Sequence, residues 1–206
     1  MPNIFKKRVL TKFAKQVPII ASHLEKVEMR LDPGMETPFQ MLIRSIVYQQ
    51  LAYKAAKTIH DRLLDLIGEF TPHSVLSKTP DELKSVGLSR QKASYVQNVA
   101  MAFDKGGFLA EYSAVDSLSE LASDEIIELF SEIKGVGEWT VQMYLIFSLG
   151  RLDVLAAKDL GVRKGVQILY NLKELPTPKE VEEIAEHWHP FETVGTYLAW
   201  RVMELE

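Results

Sequence analysis

The chain of 206 residues contains no cysteine, which removes disulfides, thiolate nucleophiles, cysteine-ligated zinc and iron–sulfur clusters together. It has no apolar run of the length a bilayer requires, and its first residues, Met1-Pro-Asn-Ile-Phe-Lys-Lys-Arg8, lack the apolar stretch of a secretory signal. An intracellular, soluble protein with no membrane partner is expected. Alternating apolar and polar residues never persist long enough for a strand, which excludes sheet-based folds. Positive charge is not in excess either: 24 Lys and Arg stand against 28 Asp and Glu, a formal net charge of −4. A nucleic-acid partner would therefore need a local basic patch. The five histidines are scattered, and the close pair His187 and His189 points to opposite sides of a helix, which speaks against a metal centre.

What is present is helical periodicity with strong boundary signals. Phe5, Val9, Leu10 and Phe13 mark one short helix, and Pro18 opens another carrying Ile19, Ile20, Leu24 and Val27. Thr37-Pro38 reads as a cap with a first-turn proline, followed by an apolar face of Phe39, Leu42, Ile43, Ile46 and Val47 up to Tyr48. Ala52, Ala56, Ile59, Leu63 and Ile67 continue a similar period to Gly68. Between the two lies Gln49-Gln50-Leu51, either a break between helices or a polar interruption on one long helix. Further starts are expected at Thr79, Ser89, Ser123, Asp159 and Thr177, and Pro190 separates a final helix from the one before it. The fold class is all-α.

The chain is organised around residues 130–147. Phe130 and Ile133 close one helical pattern, and Val141, Tyr144, Leu145 and Ser148 lie on one side of the next, so Lys134-Gly-Val-Gly137 reverses the chain between them. Gly135 and Gly137 can reach positive φ, and they leave backbone amides open to close approach. Those amides begin a helix whose N-terminal partial charge attracts an anion such as phosphate. A tight αα-corner in a core would use the same glycines. Asp159 explains itself as an N-cap, yet it follows the hairpin helix by only a short irregular loop. A carboxylate beside a phosphodiester serves a purpose where positive charge develops during a reaction. Arg151, Lys158, Arg163 and Lys164 surround it in sequence and supply the basic patch that the overall charge denies. Trp139 opens the second hairpin helix, while Trp188, Phe191, Tyr197 and Trp200 crowd the last two helices. Such rings serve a core, or hold a flat cationic ligand by stacking and cation–π attraction.

These residues resemble a known family. Ile133-Lys-Gly-Val-Gly-Glu-Trp-Thr140, Asp153-Val154 and Lys158-Asp-Leu-Gly-Val-Arg163 are similar to the helix-hairpin-helix DNA glycosylases, specifically the 3-methyladenine DNA glycosylase II branch. Ile46-Val-Tyr-Gln-Gln-Leu51, Gly87-Leu-Ser-Arg-Gln-Lys92 and Tyr197-Leu-Ala-Trp-Arg201 follow in the family's order. The resemblance runs from about Thr37 to the C-terminus. It implies one glycosylase unit over 1–206, made of two helical subdomains with a cleft between them: about 37–150 with the hairpin, and the N-terminal helices together with 151–206. It implies that Asp159 is catalytic and that Gln49, Gln50 and Leu51 lie where the family pushes a side chain into the DNA stack. Trp139, Trp200 and Tyr48 match positions around the base pocket. Lys134, Gly135, Val136, Gly137, Glu138 and Thr140 of the hairpin, with Arg163 and Lys164, would bind DNA. The carbonyls of Ser131, Ile133 and Val136 would hold a structural Na+ or K+, and no cofactor would be required. In the endonuclease III type a lysine occupies the position of Trp139 and forms a Schiff base, so a monofunctional enzyme without lyase activity is expected. Phe191-Glu-Thr193 departs from the family's Tyr-Arg-Ser, and the residues before Thr37 are too few for the added α/β domain of larger relatives.

The implied function is excision of alkylated purines of the 3-methyladenine and 7-methylguanine type from double-stranded DNA in base excision repair, by base flipping and Asp-assisted hydrolysis of the N-glycosidic bond. The protein is expected to act as a monomer, in the cytoplasm or nucleoid of a prokaryote or the nucleus of a eukaryote. Two other readings stand beside it: a non-catalytic helix-hairpin-helix module that clamps DNA, and a glycosylase for another damaged base.

Overall fold

A computed structural model describes residues 3–34 and 36–205, and all regular structure among them is helical. The all-α expectation is met. In order the α-helices are α1 (Lys7–Gln16), α2 (Pro18–Leu24), α3 (Pro38–Tyr48), α4 (Tyr53–Ile67), α5 (Pro72–Leu76), α6 (Pro80–Ser85) and α7 (Arg90–Phe103). Then come α8 (Ser123–Ser131), α9 (Glu138–Tyr144), α10 (Leu160–Leu169), α11 (Pro178–Ala185) and α12 (Glu192–Val202). A π-helical turn, Leu145–Leu149, prolongs α9, and Glu186–Trp188 is a 3-10 turn.

The boundaries follow side-chain chemistry. Thr37, Thr79 and Thr177 each form a reciprocal capping box, with Gln40, Glu82 and Glu180, ahead of a first-position proline. Backbone and hydroxyl donors of Thr79 and Thr177 hold the Glu82 and Glu180 carboxyls below their ordinary pKa. Ser89 caps α7 and Asp159 caps α10, as their positions suggest. At α8 the cap is Ala122, whose N–H donates to Glu125 Oε2 at 2.7 Å, and Ser123 is the first helical residue. Helix α5, capped by Thr71, is too short to leave a periodic trace in the sequence.

The chain divides into two compact units, Met1–Gly34 with Leu145–Glu206, and Met35–Tyr144. In the first, Phe13, Ile20, Val162, Val166, Trp188, Val194 and Leu198 are fully buried. Trp188 meets Phe13 edge-on at 6.4 Å and donates its indole N–H to Tyr170 Oη at 2.9 Å, so this aromatic belongs to the core. Helices α10 and α12 cross at Gly165, where a Cβ would lie 1.9 Å from the Ala199 carbonyl oxygen. Only a residue without a side chain lets the two backbones approach so closely.

In the second unit, Leu42, Ile43, Ile46 and Val47 of α3 are buried against α7 and α9. A ladder of rings continues this core: Phe39 to Phe103 at 6.2 Å, Phe103 to Phe130 at 5.8 Å, and Phe130 stacked on Tyr144 at 6.1 Å. Burial pushes the Tyr144 hydroxyl above its ordinary pKa, so it stays protonated.

The crossing at Gly165 is tested by Gly165→Ala. It should destabilise the protein by about 1–3 kcal/mol, the usual cost of overpacking, read as a lower urea midpoint at unchanged slope. An unchanged midpoint would show that the two helices separate freely.

Candidate active site

The sequence-expected residues fall into two groups, one in each unit. In the unit Met35–Tyr144, α8 and α9 are joined by the expected turn. Ile133 N–H donates to the Phe130 carbonyl at 3.1 Å, and Val136 N–H to the Ile133 carbonyl at 2.9 Å. Asn98 of α7 donates to the Lys134 carbonyl at 3.0 Å and ties the turn down. Gly135 has φ +108°, and a Cβ there would sit 2.2 Å from the Tyr95 ring, so both conformation and contact demand glycine. Gly137 differs from expectation: its φ is not positive, and a Cβ there would meet nothing within 4 Å. Its contribution is an open approach to the backbone at the start of α9. Lys134, Gly137 and Trp139 are exposed, Glu138 is half-buried, and Val136 and Thr140 are buried at 5% and 3% exposure. Thr140 therefore serves the packing of α9.

The Gln49-Gln50-Leu51 segment is a true break between α3 and α4. Leu51 N–H donates to the Tyr48 carbonyl at 3.3 Å, closing a four-residue turn. Gln50 sits at its tip, exposed, with φ +55°. A non-glycine residue there carries strain of roughly 1–3 kcal/mol, a cost that concentrates at functional positions. Beside the turn lies a pocket of about 450 Å³, lined by Arg44, Ser45, Tyr48, Gln49, Gln50, Trp139 and Met143. That volume falls in the range of small-molecule sites. Tyr48 tilts against Tyr53 at 5.8 Å and meets His60 edge-on at 6.1 Å, which fixes its ring. Burial lowers the pKa of His60. Arg44, which sequence reasoning passed over, donates from Nη2 to Glu36 Oε2 at 2.5 Å. The structure thus brings Tyr48, Gln49 and Gln50 together with Trp139, two segments that the chain order keeps apart.

In the unit Met1–Gly34 with Leu145–Glu206, Asp159 caps α10. Its Oδ1 accepts the Val162 N–H at 2.9 Å and the Trp200 indole N–H at 2.9 Å. Two donors on one oxygen pin the plane of the carboxylate. Trp200 in turn stacks on Phe147 at 5.8 Å with 16° between the rings. Trp200 is therefore tied to the carboxylate by its edge, a link across 41 residues that no local pattern displays. The loop that delivers Asp159 is stitched to α12. Thr193 Oγ1 donates to the Arg151 carbonyl at 2.8 Å and accepts from Val154 N–H at 3.0 Å, and Thr196 Oγ1 donates to the Val154 carbonyl at 3.2 Å. Thr193 thus has a structural task in this chain. Arg163 is turned to the Pro176 carbonyl, 2.7 Å from its Nε, whereas Lys164 and Lys158 are exposed.

Among the described residues no cluster of His, Cys, Asp and Glu could hold a metal ion, and no helix is long and apolar enough to cross a membrane. A helical protein built on a glycine hairpin, with a helix-capping aspartate and a pocket of aromatic rings, is of the helix-hairpin-helix DNA-repair class. A model of the HhH-GPD superfamily of base excision DNA repair proteins matches residues 43–190, and the chain belongs to that family. Among curated proteins, it is 34% identical over 171 residues to DNA-3-methyladenine glycosylase 1 of Schizosaccharomyces pombe, covering 82% of this chain and 73% of that one. Among solved structures, a DNA-3-methyladenine glycosidase from Bacillus halodurans aligns with a TM-score of 0.83 at 31% identity, over 95% of this chain and 88% of that one. The Schizosaccharomyces pombe 3-methyladenine DNA glycosylase in complex with abasic DNA aligns with a TM-score of 0.70 at 28% identity, over 98% and 94%.

The two bonds to Asp159 Oδ1 separate two substitutions. Asp159→Ala removes the cap and orphans the Trp200 N–H, and should cost about 0.5–2 kcal/mol of stability. Asp159→Asn keeps an acceptor oxygen and should unfold near the wild-type urea midpoint. Equal losses in both would mean that charge, rather than the cap, holds the start of α10.

Proposed function

We propose that this protein is a monofunctional DNA glycosylase that excises alkylated purines, of the 3-methyladenine and 7-methylguanine type, from double-stranded DNA in base excision repair. The observation that carries the reading is the Asp159 carboxylate, fixed by a helix-start N–H and by the Trp200 indole, in a chain of the HhH-GPD family. The names of the curated relative and of the aligned glycosylases support the substrate class.

Alkylation leaves the base positively charged, so it departs with the bonding electrons as a neutral molecule and needs no protonation. The difficulty is the sugar, which gains cationic character at C1′ as the bond lengthens. A fixed carboxylate stabilises that charge without reorganising during the step. Asp159 then takes the proton of the water that attacks C1′. Trp139 and Tyr48 receive the base, whose positive charge favours electron-rich faces over those of a normal purine. Extrusion costs a few kcal/mol, least for damaged pairs, and Gln50, flanked by Gln49 and Leu51, fills the vacated space. The hairpin amides at residues 134–138, with Lys134 and Lys164, grip phosphate and carry no sequence information.

A monovalent cation fits the hairpin. Ser131 ends α8, where carbonyls lack intrahelical donors and the dipole favours positive charge. The Ile133 carbonyl accepts one N–H and keeps a second lone pair, and Val136 supplies a third oxygen. Na+ or K+ held there would add positive charge facing a phosphate. No cofactor takes part in the reaction, and the protein acts as a monomer where genomic DNA is found, the nucleoid or the nucleus.

Asp159→Asn should reduce release of methylated purines from dimethyl-sulfate-treated duplex DNA by about 10²-fold or more, the scale of general-base catalysis, while DNA binding persists. Undiminished release would overturn the assignment. Trp139→Ala should lower kcat/KM by roughly 10–100-fold, since base–aromatic stacking is worth about 1–3 kcal/mol. It should leave binding to duplex containing an abasic analogue, which offers no base to stack, near wild type. Borohydride treatment during turnover should trap no protein–DNA adduct; a trapped adduct would mark a lyase.

A further inference from the structure

The turn between α3 and α4 is held by a residue that neither its sequence position nor the proposed chemistry singles out. Gln49 has φ −50° and ψ 130°, Gln50 has φ +55°, and Leu51 N–H bonds to the Tyr48 carbonyl at 3.3 Å. These are the marks of a type II turn, whose third residue needs positive φ and is ordinarily glycine or asparagine. Glutamine has no such ease, and left to itself the segment would favour a type I turn, with ψ near −30° at Gln49 and no positive φ. The two turns differ by a flip of the peptide between Gln49 and Gln50, which swings the Gln49 carbonyl to the opposite side.

That carbonyl is caught. Lys92, in the first turn of α7, donates from Nζ to the Gln49 carbonyl at 2.7 Å and to the Val47 carbonyl at 2.8 Å. Two more carbonyls at the end of α3 are met by the backbone itself: Ser45 by Gln49 N–H at 3.1 Å and Tyr48 by Leu51 N–H. A cation at a helix C-terminus is favourably placed against the dipole. The ammonium is half-buried, and burial lowers its pKa, so the carbonyls it meets compensate a real desolvation cost. The bond to Gln49 exists only in the flipped state, and the bond to Val47 anchors Lys92 to the helix just before it.

We infer that Lys92 is a positioning residue: by holding the Gln49 carbonyl it locks the turn in the form that presents Gln50 outward, so the side chain meets DNA already oriented. The inference rests on the reading of Gln50 as the group that enters the base stack. Without Lys92 the central peptide relaxes, Gln50 leaves the left-handed region, and insertion must first restore it. Lys92 is not itself part of the pocket lining or of the hairpin, and it reaches the lining through the Gln49 carbonyl, at the turn that carries Gln50.

The test is a duplex with a tetrahydrofuran abasic site and 2-aminopurine as its neighbour, whose fluorescence reports the stack around the gap. Wild-type protein should change that fluorescence on binding. Lys92→Met should bind within about threefold of wild type yet show less than half of the change, and release methylated purines from duplex DNA about tenfold more slowly. Lys92→Arg, which keeps charge and donors, should restore both. If Lys92→Met fails to fold by thermal melting, Lys92→Gln is read in its place, with the same expected loss. A wild-type fluorescence change in the folded variant overturns the inference. Gln50→Ala separates the two levels of the argument: loss of the change there with retention in Lys92→Met sinks only the role of Lys92, whereas retention in Gln50→Ala sinks the insertion reading and the inference with it.

Discussion

A missing side chain at one helix crossing governs the carboxylate. Gly165 lets α10 and α12 come into backbone contact at Ala199, and the neighbouring residue on α12 is Trp200. Only at that separation does the indole N–H reach Asp159 Oδ1 at 2.9 Å. Gly161 belongs to the same geometry, since a Cβ there would already crowd Asp159 Oδ1 and Trp200 Cδ1 at 3.0 Å. Thr193 and Thr196, two turns and one turn earlier on α12, hold the loop that brings the aspartate in. One helix, α12, thus fixes both the approach of the loop and the orientation of the group at its end.

In the other unit the organising device is backbone hydrogen bonding at a helix end. Helix α3 stops at Tyr48 because Gln49 turns extended and Gln50 adopts positive φ, and the Ser45, Val47, Tyr48 and Gln49 carbonyls around that stop each have a donor. The pocket beside it is walled by the C-terminal end of α3 and by Trp139 and Met143 of α9, so the same helix end that sets the turn also sets Tyr48.

Much of this was legible in the sequence where causes are local. The all-α class, the caps at Thr37, Thr79, Ser89, Asp159 and Thr177, and the reversal at 134–137 depend on residues within four positions of one another. Family membership was legible for the same reason, because the hairpin string is contiguous. What could not be read depends on partners far along the chain. The Trp200–Asp159 bond spans 41 residues and the Lys92–Gln49 bond spans 43. Gly137 looked like a second positive-φ position by analogy with Gly135, but only Gly135 packs under a ring that dictates its conformation. Thr140 and Arg163, assigned to DNA from their place in the motif, are engaged by the protein itself, one buried and one bonded to Pro176. Arg44 gave no signal because its meaning comes from Glu36 and from the pocket that surrounds it.

The Arg44–Glu36 pair has a wider consequence. A guanidinium on a pocket wall would repel a cationic ring, yet here its charge is met by a carboxylate 2.5 Å away, and the wall is close to electrically neutral. If this is the pocket that receives the base, as proposed, discrimination between a charged and an uncharged purine is left to polarisable ring faces, a short-range force that mobile ions barely reach. Attraction to the polyanion, by contrast, fades steeply as ions are added. Salt would therefore govern how often such a protein meets its polymer while leaving almost untouched its choice among the bases it finds there.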